Sequence, residues 1–279
     1  MAKNLGAANI VVIDTRTVTN YGVGHLPGAV SMPYKEWAPF NQKRDCNLMP
    51  TPAAFTKKMR ALGVNSGTHV IIYDQGNTTG DSTRGTSTVG ILETMGHDNV
   101  SYLDGGFTKW TFEGRIIDNK KPVVKAGNFS ARLDSSRVAS LQDVEANIKS
   151  HAAVFVDARN SNQFFGNTKR ADVDRFGHIP GALNLPAPFL NDSGVNRAPA
   201  VIMSKKALET MVKGVGLPQN KNKKLIVYCN TGQFAGMDYF VLHGLLGYKN
   251  VAIYDGSMLE YASHDKLPLV RFAWGRVSR

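Results

Sequence analysis

A chain of 279 residues, 42% of them hydrophobic, has room for two domains of ordinary size, each with a core of its own. No apolar run approaches a membrane span, and the opening MAKNLGAANI lacks the long apolar region of a signal peptide, so a soluble chain with no membrane partner is expected. The net charge of +11 and pI near 9.6 favour small anions as ligands, while no basic stretch interleaved with aromatics points to nucleic acid.

In chain order, β-branched and aromatic runs predict strands at Val11 to Asp14, Val70 to Tyr73 and Val100 to Leu103. Between the first two, Thr51-Pro52 reads as a helix start, because threonine caps and proline suits the first turn. A second helix is expected around Thr86 to Met95. The polar, irregular stretch FEGRIIDNKKPVVKAGNFSARLDSS then places a domain boundary near Lys125 to Asp134. Beyond it come strands at Val154 to Asp157, Leu225 to Tyr228 and Val251 to Tyr254, with helices starting at Ser204 and Ala235.

These elements recur. VVIDTR (from Val11) matches VFVDAR (from Val154), and GHLPGAVSMP (from Gly24) matches GHIPGALNLP (from Gly177). IIYD (from Ile71) matches IVYC (from Ile226), and GHDNVSYLDGG (from Gly96) matches GYKNVAIYDGS (from Gly247). Four blocks in one order, at a period too long for a solenoid, imply two homologous domains, 1–124 and 135–279. Strand-helix alternation makes each an α/β unit, a mainly parallel sheet flanked by helices on both faces. The second half has a lead-in, SSRVASLQDVEANIKSHAA, where the first has about ten residues. The start therefore looks trimmed, and the compartment, cytoplasmic or periplasmic, stays open.

Cys229 ends the run LIVY and opens the loop CNTGQFA ahead of a helix. Ligands gather at the carboxyl ends of such strands, where free amides and a helix start converge. That setting is expected to lower the thiol's pKa and make Cys229 a nucleophile. Gly232 lets the loop curl and present its amides, while Asn230, Thr231 and Gln233 are placed to contact a bound oxyanion. Phe234 and Ala235 complete the loop. The first repeat carries Asp74 where the cysteine would stand, so domain one is expected to be non-catalytic.

The D-x-R, GH[IL]PGA, cysteine-loop and YDGS blocks together resemble the rhodanese family of sulfurtransferases, and the layout is similar to its tandem thiosulfate and 3-mercaptopyruvate enzymes. The resemblance implies that Cys229 takes sulfur from thiosulfate as a persulfide and passes it to cyanide or a thiol or dithiol acceptor. Mercaptopyruvate as donor is the alternative, since neutral Asn230 and Thr231 depart from the loops typical of either enzyme. A non-enzymatic sulfur carrier or partner-binding module is the alternative of another class. A phosphatase of related fold would need arginine at position 235, which is Ala235.

Other residues are weighed against plainer roles. Arg159 and Arg84 are candidate donor contacts. Asp157, repeated as Asp14, is expected to be structural, as are His25 and His178 in the two GH[IL]PGA turns. Lys169, Arg170 and Arg175, in a loop of 17 residues where the first domain has seven, are further anion contacts that nothing in the pattern separates. Cys46 is expected to be reduced. No metal-ligand spacing and no dinucleotide loop occurs, so no cofactor is expected.

Overall fold

The strands that the repeat predicts do form, and they pair in the same way in both halves. The computed structural model describes residues 5–7, 9–37, 49–192 and 198–272; Cys46 lies outside them. In chain order the first half gives β1 (Ile10–Asp14), α1 (Val18–Val23), β2 (Val30–Ser31), α2 (Tyr34–Trp37), α3 (Pro52–Ala61), β3 (His69–Tyr73), α4 (Thr79–Thr94), β4 (Val100–Tyr102) and α5 (Gly106–Phe112). The second gives β5 (Val138–Ala139), α6 (Leu141–Ser150), β6 (Val154–Asp157), α7 (Ser161–Phe164), β7 (Leu183–Asn184), β8 (Asn191–Asp192), β9 (Val201–Ile202) and α8 (Lys205–Gly214). It closes with β10 (Leu225–Tyr228), α9 (Gln233–Tyr239), β11 (Val251–Tyr254) and α10 (Ser257–Tyr261).

The first sheet is ordered β2-β1-β3-β4 and the second β5-β11-β10-β6-β7, with every pair parallel. Asp14 pairs with Tyr73 in one and Asp157 with Tyr228 in the other, so the two D-x-R motifs stand beside Asp74 and Cys229 respectively. The fifth strand, β5, comes from the lead-in that only the second half possesses. All residues of β10 and β11 are buried, as continuous apolar strands of a parallel sheet covered on both faces should be.

Helix starts follow capping chemistry. Thr51 Oγ1 accepts from the Ala54 amide with Pro52 in the first turn of α3, and Ser204 caps α8 in the same manner. α4 begins earlier than expected, at Thr79, behind a reciprocal Thr78–Asp81 capping box. Its first half is rich in glycine, serine and threonine, which have low helix propensity. Burial holds it: Ser82, Thr83, Gly85, Thr86 and Thr88 are all buried, and the Thr86 and Thr88 hydroxyls donate to carbonyls one turn back. α9 starts at Gln233, two residues before the expected Ala235, and runs into a π-helical stretch, Phe240–Leu245.

The described residues fall into two compact units, one within 1–40, 49–135 and 191–203, the other within 136–190 and 204–279. The first unit thus includes the β8–β9 hairpin from later in the chain. Ala200 donates to the Gly76 carbonyl at 2.8 Å, Ile202 to Asp104 Oδ1 at 2.8 Å, and Thr79 Oγ1 to Asn191 Oδ1 at 2.8 Å.

Candidate active site

The ground beneath Cys229 is built identically in both units. Asp157 accepts from the Arg159 amide and guanidinium, with Nη2 at 2.6 Å, and Arg159 Nη2 also donates to the Gly177 carbonyl at 2.8 Å. Asp14, Arg16 and Gly24 repeat this, with Arg16 Nη2 at 2.7 and 2.6 Å. Arg159 is 1% exposed. Its charge reaches Cys229 electrostatically, yet its guanidinium lies under the loop, spent on Asp157 and Gly177. His178 Nδ1 donates to the Phe164 carbonyl at 2.7 Å and its ring stacks on Phe164 at 3.7 Å; His25 does the same with Tyr21 at 2.9 and 3.9 Å. Both histidines are turn fasteners.

On that ground stands the loop. The Thr231 amide lies 3.4 Å from Cys229 Sγ, and the amides of Ala235, Phe234 and Gly232 also bear on the sulfur. Gly232 takes φ +87°, the left-handed conformation that turns the chain around the thiol. From behind, the Met258 and Leu259 amides donate to the carbonyls of Cys229 and Asn230, both at 3.0 Å. Asn230 Nδ2 donates to Gln163 Oε1 at 2.9 Å, which ties this side chain to α7. Gln233 and Phe234 are half-buried and Ala235 is buried.

The expected lowering of the thiol's pKa is not what results. Cys229 is 3% exposed, and burial pushes the thiol up against the opposing pull of the four amides. Sequence shows where amides converge but not how much water is removed. Iodoacetamide modification of Cys229, followed by peptide mass spectrometry, should therefore be slow at neutral pH and still climb where a free cysteine is already fully ionised. A rate that levels off near neutrality would contradict this.

Two contributors escaped the sequence. Ser257 holds the loop's first amide, Cys229 N to Ser257 Oγ at 3.1 Å, at φ +50°, a strained value for a non-glycine residue. The signal was present: the first repeat reads DGG, with Gly106 at φ +54°, where the second reads DGS. Asp238 on α9 is fully buried, neither of its carboxyl oxygens has a hydrogen-bond partner among the described residues, and burial pushes its pKa well above the ordinary carboxylate value.

The three cations of the long loop separate clearly. Arg175 donates to the carbonyls of Tyr261, Ala262, His264, Asp265 and Leu267, clamping the segment after α10. Lys169 is bonded to the Val173 carbonyl at 2.8 Å. Arg170 pairs with Asp172 and turns Nη1 to Thr231 Oγ1 at 3.4 Å, which puts a cation on the loop's rim. Arg84 belongs to the first unit, on α4, with Nη1 on Asp81 Oδ1 at 3.0 Å.

Comparison with known proteins fits this geometry. A family model described as "Rhodanese-like domain" matches residues 1–113 and 140–264. The chain belongs to the rhodanese family. Relatives include the 3-mercaptopyruvate sulfurtransferase of Escherichia coli K12, 28% identical over 96% of this chain and 95% of that protein. The thiosulfate sulfurtransferase of Pseudomonas aeruginosa is 26% identical over 96% and 94%, and the sulfur carrier protein TtuD of Thermus thermophilus 30% over 90% and 87%. The crystal structure of Escherichia coli SseA, a 3-mercaptopyruvate enzyme, superposes with TM-score 0.74 at 29% identity, covering 92% of this chain and 95% of SseA. A persulfide-bearing EanB structure gives TM-score 0.79 at 18% identity, a likeness of fold; the chain spans 65% of its length. This rhodanese is a sulfurtransferase, and its relatives' names divide between two donors. Among the described residues no helix is long and apolar enough to cross a membrane.

Proposed function

We propose that the protein transfers the sulfane sulfur of thiosulfate through a persulfide on Cys229. The thiolate attacks the outer sulfur, the S–S bond of thiosulfate breaks, and sulfite leaves with the electron pair. Cyanide or a thiol then takes the outer sulfur from the persulfide and returns the thiolate. The observation that carries this is the amide ring of Thr231, Gly232, Phe234 and Ala235 around Sγ. Thiolate and persulfide are both anions, and a ring of fixed N–H donors suits each without rearrangement. Arg170 at the rim attracts dianionic thiosulfate more strongly than monoanionic 3-mercaptopyruvate, and the net charge of +11 acts in the same direction.

Arg170→Ala should cut kcat/KM for thiosulfate roughly 10- to 100-fold, mostly through KM, as loss of a charged hydrogen bond does. Arg175→Ala should leave KM alone and lower the melting temperature. Equal effects of both on KM would refute the division of labour. Measuring kcat/KM for thiosulfate against 3-mercaptopyruvate separates the donors, with thiosulfate expected to win.

A second reading, sulfur carriage, is favoured by the deep burial of Cys229 and by the likeness to TtuD. It predicts a stable persulfide with negligible turnover to cyanide.

A further inference from the structure

Three contacts hold the backbone that carries the thiol, and two of them recur in the repeat that has no thiol. Met258 and Leu259 donate to the carbonyls of Cys229 and Asn230 at 3.0 Å, and in the first unit Phe107 and Thr108 donate to the carbonyls of Asp74 and Gln75 at 2.9 Å. These pairs belong to the fold. The third contact is the Cys229 amide on Ser257 Oγ at 3.1 Å, and the Ser257 hydroxyl in turn donates to the Tyr254 carbonyl at 2.9 Å. One hydroxyl ties the residue after β10 to the last residue of β11, at the nucleophile's own amide. The first unit has Gly106 at that place, with no side chain to do so.

Serine is not what this turn prefers. Its φ of +50° lies in the left-handed region, which Gly106 occupies without strain at +54°. The first unit has closed around its glycine: a Cβ on Gly106 would lie 2.5 Å from the Asp74 carbonyl oxygen. The second unit leaves room at the same place for a side chain, and that side chain is fully buried. Strain and space are both given over to a hydroxyl that the turn itself does not need.

We propose that Ser257 is a positioning residue for sulfur transfer: its hydroxyl fixes the Cys229 peptide so that the sulfur stays within the amide ring as it passes from thiolate to persulfide and back. The ring's amides follow Cys229 along the chain, at Thr231, Gly232, Phe234 and Ala235. Their aim at the sulfur depends on how the peptide before them is turned. A rotation at that peptide swings Sγ off the ring while the Met258 and Leu259 contacts keep the turn. The inference rests on Cys229 as the sulfur carrier.

Ser257→Gly and Ser257→Ala test it together. Both remove the hydroxyl; glycine also relieves the strained φ, whereas alanine keeps it. The first unit shows that the turn folds around glycine. Steady-state transfer from thiosulfate to cyanide is measured beside a thermal melt and the intact mass after thiosulfate. Both variants should lose kcat roughly 10- to 100-fold, as a small misplacement of reacting groups does, with KM for thiosulfate within about twofold of wild type. Ser257→Gly should still melt above Ser257→Ala, so that activity does not follow stability. Activities that track the melting temperatures of the two variants would overturn the proposal. Wild type gaining no sulfur from thiosulfate would overturn it together with the reading of Cys229. Wild type gaining one sulfur while Ser257→Gly keeps its full kcat would overturn it alone.

Discussion

Cys229→Ser is expected to lower sulfur transfer from thiosulfate to cyanide at least roughly 10⁴-fold, as removal of a covalent nucleophile does in other enzymes. A serine hydroxyl can neither reach its anion at neutral pH nor hold sulfur as a perthiolate. Binding at the rim should survive, because Arg170 contacts Thr231 and not the thiol. The fold should survive too. The loop's braces are backbone amides and carbonyls, Cys229 N to Ser257 and Cys229 O from Met258, which serine keeps. The buried oxygen also finds ready donors in the surrounding amides, so the melting temperature should move by no more than about 2–4 °C. Steady-state thiocyanate formation and a thermal melt on the same preparation check both halves. Residual transfer above a percent of wild type would mean that another group carries the sulfur.

Asp157→Ala is expected to destabilise the second unit by about 3–5 kcal/mol, the cost of leaving one buried charge without its partner. Arg159 is 1% exposed, and among the described residues no other carboxylate is bonded to it. The Arg159 amide loses its acceptor in the same change. The control is Asp172→Ala, which breaks the Arg170–Asp172 pair at side-chain exposures of 38% and 40% and should cost about 1 kcal/mol or less. Urea unfolding of the two variants beside wild type measures the difference. Similar small shifts for both would show that the buried pair is not what holds the turn before Gly177.

Why the fold was readable lies in the repeat. Strand ends at Asp14, Tyr73, Asp157 and Tyr228 could be placed because two copies of each motif constrain one another, and parallel strands buried on both faces announce themselves as unbroken apolar runs. The start of α4 could not be placed, because its glycines and threonines are helical only through burial against the sheet. The β8–β9 hairpin was unreadable for another reason. Two-residue strands have no periodicity, and their partners, Gly76, Thr79 and Asp104, lie about a hundred residues away. In the candidate site, the amide cradle was legible from strand, loop and glycine. The sign of the thiol's shift was not, since it depends on how deeply the loop is covered. Arg170 and Arg175 look alike as letters; only the carbonyls that Arg175 meets tell them apart.

The most direct test of the central claim is the intact mass of the protein after incubation with thiosulfate. A gain of one sulfur atom on wild type, absent from Cys229→Ser and removed by cyanide with release of thiocyanate, is the expected result. An unchanged mass on wild type, or the same gain on Cys229→Ser, would contradict it.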